Sequence, residues 1–113
     1  MWPWAIPRGT VQYMSPEVFA NAGPYDAYSS DMWSVGMCFF IMLLGFPAVE
    51  LGPTAADARW HVLREDDGVR KLLRMWKRRF SNEAEDLLTK MLTVDPEQRI
   101  TAAQALQHPF IVA

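Results

Sequence analysis

From Met32 to Val49 the chain carries no charged side chain, and the apolar residues in that stretch fall on almost every helical face. The pattern predicts a helix over Asp31–Leu44, of the kind that forms the buried centre of a helical fold. Ser29 and Ser30 offer hydroxyls to cap it, Asp31 suits its positive end, and Gly45 and Pro47 end it. Such a helix would span ~21 Å at 1.5 Å per residue, short of the ~30 Å hydrocarbon core, so no membrane span is expected. Before it, residues 1–30 hold four of the eight prolines and read as loop and turn.

Further helices follow the connection that holds Gly45, Pro47, Gly52 and Pro53. Thr54 can cap a helix over about 55–66, with Ala58, Trp60, Val62 and Leu63 on one face, and Asp66-Asp67-Gly68 punctuates its end. From Val69 the apolar residues Leu72, Leu73, Trp76 and Phe80 recur at helical spacing, opposite Arg70, Lys71, Arg74, Lys77 and Arg78. Ser81 or Asn82 caps the next helix, whose buried face is Ala84, Leu87, Leu88, Met91 and Leu92. If Asn82 is the cap, Glu85 completes a capping box. Thr101 and Gln104 form a second such box, and His108-Pro109 closes the last helix. No alternating strand pattern is present. The fold class expected is mainly α.

Composition narrows the function. The 113 residues suffice for one modest domain, and a net charge of −2 with 12% aromatic residues argues against both a basic nucleic-acid binder and a disordered chain. The lone Cys38 excludes an internal disulfide framework and reads as an inert buried thiol mid-helix. His61 and His108 stand apart without carboxylate or thiol companions in the sequence, so no metal site is expected. The first eight residues lack the charged opening and the long apolar run of a signal peptide.

Three motifs carry chemistry when taken together. Gly9-Thr10-Val11-Gln12-Tyr13-Met14-Ser15-Pro16-Glu17 resembles the end of the activation segment of eukaryotic serine/threonine protein kinases, with Ser15 where that family has alanine. Asp31-Met32-Trp33-Ser34-Val35-Gly36 resembles the opening of the family's central C-lobe helix. Asp95-Pro96-Glu97-Gln98-Arg99-Ile100-Thr101 and His108-Pro109-Phe110 resemble the segment that ends the kinase fold. The resemblance implies a partial kinase-like C-lobe helical bundle over 9–112 behind an irregular tail at 1–8.

It also implies roles. Gly9, Thr10, Val11 and Tyr13 would form the peptide-substrate loop, with Thr10 against the catalytic-loop aspartate and lysine of an enzyme that phosphorylates serine or threonine. Glu17 and Arg99 would form a buried ion pair that staples the lobe, a task suited to the planar fork of arginine. Asp31 would accept hydrogen bonds from the catalytic-loop backbone, though the residues alone require no more than an acid at a helix N-terminus.

The chain has no two glycines two residues apart, no His-Arg-Asp and no Asp-Phe-Gly, and its three lysines lack the family's Val-Ala-x-Lys setting. Phosphoryl transfer depends on those parts for positioning and charge stabilisation. The expectation is a chain inactive on its own, with ATP and Mg²⁺ used by the complete domain and a protein bearing a serine or threonine acceptor as substrate. The missing N-lobe and catalytic loop would be its structural partners, and an intracellular, cytoplasmic setting is implied. A second reading is a non-catalytic lobe remnant that serves as an interaction module. Residues 64–80 hold seven basic and three acidic side chains, so the amphipathic stretch 69–80 could also enter a calmodulin-like groove or lie on anionic lipid; against this stands a packed apolar face with solvated charges.

Overall fold

The computed structural model describes residues 12–21 and 23–112. Six helices lie wholly among the described residues: α1 (Pro16–Ala20), α2 (Ala27–Leu44), α3 (Ala58–Leu63), α4 (Gly68–Met75), α5 (Asn82–Met91) and α6 (Ala102–Leu106). No strand occurs among the described residues.

Helix α2 is the centre of the bundle and begins four residues earlier than its apolar run suggests. Asp26, not Ser29 or Ser30, is the cap: its carboxylate accepts from the backbone N–H of Tyr28 at 2.9 Å and of Ser29 at 3.3 Å. At 18 residues, or ~27 Å, the helix is long and apolar enough to cross a membrane, so the length argument against a span does not hold. Packing gives it another place. Trp33, Met37 and Phe40 are at most 1% exposed and lie in one cluster with Trp60 of α3, Leu72 and Leu73 of α4, and Leu88 of α5. Each such side chain contributes about 1.5–3 kcal/mol on leaving water. Gly45 ends the helix at φ 88°, a left-handed conformation that glycine adopts without strain.

The close approach of α2 to α5 depends on Gly36. A Cβ there would lie 2.8 Å from Met91 Cβ and 2.9 Å from a Leu92 methyl. Beneath α6, a smaller cluster joins Met32, Leu87, Met91, Ile100 and Ala105.

The opposite face of α2 is uncovered. Tyr28, Asp31, Val35, Cys38 and Met42, at successive three- and four-residue spacings, all face solvent. Cys38 is therefore exposed rather than buried. The sequence hides this because α2 is apolar on nearly all sides, and only packing reveals which side is used.

Local chemistry accounts for the other departures. Pro16 at the first position starts α1 within a stretch that reads as loop. Asp57, not Thr54, caps α3, which is confined to six residues. The stretch 69–80 is not one helix. Helix α4 stops at Met75, Lys77 takes φ 55°, and a Schellman turn closes with Lys77 N–H donating to Arg74 O at 3.1 Å and Arg78 N–H to Leu73 O at 2.9 Å. Ser81 caps α5 through the Ala84 N–H, and Glu85 reaches past it to the Phe80 N–H at 2.9 Å, so the box centred on Asn82 does not form. Thr101 and Gln104 do make their reciprocal box on α6, at 3.1 and 2.9 Å.

Candidate functional site: the docked segment before α2

Gly9, Thr10 and Val11 lie outside the described residues, and the site is built from Gln12 onward. Residues 12–17 are pinned to α2, to the loop that follows it and to Arg99. The Gln12 side chain donates to Glu50 O at 2.8 Å, and Ser34 Oγ donates to Tyr13 O at 2.8 Å. Ser15, fully buried, shares a 2.8 Å hydrogen bond with Ser30. Tyr13 packs its ring against the main apolar cluster.

Glu17 completes the attachment. Its carboxylate receives both terminal nitrogens of Arg99, at 2.7 and 3.0 Å, across 82 residues of chain. The Arg99 side chain is wholly buried, and every N–H it owns has an acceptor. Nε donates to Thr93 O at 2.8 Å, Nη1 also to Ser29 O at 2.9 Å, and Nη2 also to Val94 O at 3.1 Å. The guanidinium lies 5.2 Å from the centroid of the Trp33 ring. Burial acts to raise the Glu17 pKa, but the Arg99 hydrogen bonds and charge, together with hydrogen bonds from its own backbone N–H and from Ser15, outweigh it and hold the carboxyl below its ordinary value. One arginine thus ties together α1, the first turn of α2 and the segment that follows α5.

Asp31 sits on the uncovered face of α2, exposed, about one turn before Ser34, which anchors Tyr13. The structure brings Glu17 and Arg99 together and leaves Asp31 apart from them.

Two polar clusters have no counterpart in the sequence reading. Asp57, 2% exposed, holds the loop before α3: one carboxylate oxygen accepts from Glu50 N–H and Leu51 N–H, each at 2.6 Å, and from Gly52 N–H at 3.3 Å, while the other accepts from Arg59 N–H at 2.9 Å. Burial works to raise its pKa, but these four N–H groups prevail and lower it. The signal available was an Asp three residues beyond Thr54, an equally good cap. His108, taken as isolated, lies 2.7 Å from Asp86 through Nε2 and accepts the Phe110 N–H at Nδ1, so a neutral imidazole with its proton on Nε2 satisfies both bonds. Asp86 also pairs with Lys90, and these two neighbours lower its pKa.

Lys71 is tied to Glu65 and Lys90 to Asp86, and no group of three His, Cys, Asp or Glu among the described residues could hold a metal ion. The apolar face of the 69–80 stretch is likewise committed: Val69, Leu72 and Leu73 are at most 2% exposed inside the core, and nothing in the fold supports a calmodulin-like partner there.

Against known proteins, the family model described as protein kinase domain matches residues 5–111. The putative ribosomal protein S6 kinase alpha-1 of Caenorhabditis elegans is 42% identical over 106 residues, which cover 93% of this chain and 13% of that protein. Human ribosomal protein S6 kinase alpha-3 is 40% identical over 94% of this chain and 14% of its own length. Human serine/threonine-protein kinase DCLK3 is 34% identical over 91% of this chain and 15% of its own. Among solved structures, the Rad53 kinase domain with SCD2 in complex with AMPPNP superposes with a TM-score of 0.64 at 30% identity, covering 91% of this chain and 39% of that one. The chain therefore spans about one-seventh of the length of these curated relatives.

Proposed function

Because the chain belongs to the protein kinase domain family, we propose that it supplies the peptide-holding, structural part of the C-lobe of a serine/threonine protein kinase. The observation that carries this is the docked segment. Four attachments, at Gln12, Tyr13, Ser15 and Glu17, fix the backbone that leaves Gly9, Thr10 and Val11, and a loop that must present a hydroxyl to a nucleotide needs such a rigid base. In this reading Gly9, Thr10, Val11 and Tyr13 receive the substrate segment, Thr10 orders the catalytic loop, and Asp31 meets the backbone of that loop from the uncovered face of α2. ATP and Mg²⁺ are the cofactors of the complete enzyme and are held by residues other than those described here.

The test is phosphotransfer to a mixed peptide pool with ATP and Mg²⁺. The complete enzyme yields phosphoserine and phosphothreonine, and Thr10→Ala lowers kcat far more than it alters the melting temperature. Transfer to tyrosine, or a Thr10→Ala enzyme with unchanged kcat, rejects the assignment. The 113-residue chain alone transfers nothing.

The uncovered stripe on α2 favours one further reading. Val35 is 50% and Met42 81% exposed, an apolar surface that needs a cover. If no kinase activity accompanies the complete protein, that stripe makes the lobe a non-catalytic interaction module.

A further inference from the structure

Between α4 and the start of α5 lies a cavity of about 370 Å³ whose wall is built largely of arginine. Arg70 and Arg74 enter from successive turns of α4, Arg78 and Arg79 from the segment after the Schellman turn, and Asn82 and Glu85 from α5. Four arginines thus line the cavity with one acid, Glu85, while Asp67 pairs with two of them from outside it, in a protein whose overall charge is −2.

The charges are not equally spent. Glu85 is committed to Arg70 at 3.4 Å and to the Phe80 N–H at 2.9 Å. Asp67 engages Arg70 at 3.2 Å and reaches Arg74 only at 3.7 Å. Among the described residues, neither Arg78 nor Arg79 has an ionic partner, and both are exposed. The backbone brings them there at a cost, because Lys77 occupies the left-handed region that favours glycine, and the chain reverses at that point to set Arg78 and Arg79 beside Arg74.

We propose that this cavity binds a phosphoryl dianion carried by a phosphorylated serine or threonine of a partner protein. A guanidinium offers two parallel N–H donors that match the oxygens of a phosphate, and several of them around one concavity suit a compact dianion better than a single carboxylate. The concave shape favours a protruding group over the plane of a membrane. The site lies on a different part of the lobe from the docked segment and stands whether or not the kinase assignment does.

The test titrates the full-length protein with a fluorescent peptide in which one phosphoserine is flanked by glycine and alanine, alongside its unphosphorylated twin. The phosphopeptide binds more tightly by about tenfold or more, and millimolar inorganic phosphate competes with it. The double substitution Arg78→Gln/Arg79→Gln removes that preference at an unchanged melting temperature, as does Arg74→Gln, whereas Arg64→Gln, an exposed arginine outside the cavity, leaves it intact. Equal binding of the two peptides overturns the proposal. So does an equal loss with Arg64→Gln, which means diffuse charge attraction, and so does binding only to vesicles of phosphatidylserine and phosphatidylcholine, which means a lipid surface.

Discussion

Glu17 finds its partner 82 residues away, whereas Asp57 finds all of its partners within seven. Both are acids held in the ionised form, and both carry lowered pKa values. Glu17 works through one buried guanidinium that itself gathers three further carbonyls, so the pair joins segments that lie far apart in the sequence. Asp57 works through backbone N–H groups and shapes one loop between α2 and α3. The first is a tertiary closure and the second a local cap extended over a turn. The difference teaches that burial does not rank the risk, since Asp57 is the more buried of the two: loss of Glu17 uncouples segments, while loss of Asp57 loosens a connection.

Substitutions can break this comparison in order of effect. Arg99→Ala leaves the Glu17 carboxylate and the carbonyls of Ser29, Thr93 and Val94 unpaired, and is expected to cost about 3–5 kcal/mol. A shift of the denaturant midpoint at constant slope reads it, and wild-type stability for this variant would remove the staple from the account. Asp57→Asn keeps the shape but turns one end of the carboxylate from an acceptor into a donor facing N–H groups. It is expected to cost about 2 kcal/mol, less than Arg99→Ala.

Acid sharpens the same contrast. A carboxyl whose folded pKa is depressed contributes stability above its unfolded pKa and loses it as pH falls through the folded one. The cost of Asp57→Asn is therefore full at neutral pH and shrinks as pH drops below the ordinary aspartate value of 3.8. Urea melts of both proteins between pH 7 and pH 2 measure it, and a gap that does not narrow contradicts the ionised cap. Ser15→Ala has the smallest effect. It leaves the Ser30 hydroxyl without its buried partner, at about 1 kcal/mol, and Ser15→Ala/Ser30→Ala recovers part of that. Thermal unfolding of the three variants distinguishes a net contribution of the bond from the penalty of a lone hydroxyl.

These elements were not equally legible. Thr101 and Gln104 announce their box because capping chemistry is local and acts over three residues. Glu17 and Arg99 are separated by a length that no periodicity marks, and only their resemblance to kinase motifs pairs them. Asp57 escaped because Thr54 sits at an equally plausible place, and the choice depends on where the loop returns Glu50 and Leu51. The end of α4 escaped for a different reason: a lysine in the left-handed region carries no sequence mark, so the spacing of Trp76 and Phe80 suggests a helix that the backbone abandons. The bipartite nature of α2 was hidden by its own uniformity, since Val35, Cys38 and Met42 look no different from Met37 and Phe40 until neighbours cover one set.

The separation of Glu17 from Arg99 also sets an order of events during synthesis. At roughly 5–20 residues per second, the ribosome delivers Arg99 about 4–16 s after Glu17. For most of that interval α2 has emerged without α5 to cover it, with a length and hydropathy fit for a bilayer. The nascent chain thus carries its longest apolar helix well before the residue that locks the lobe.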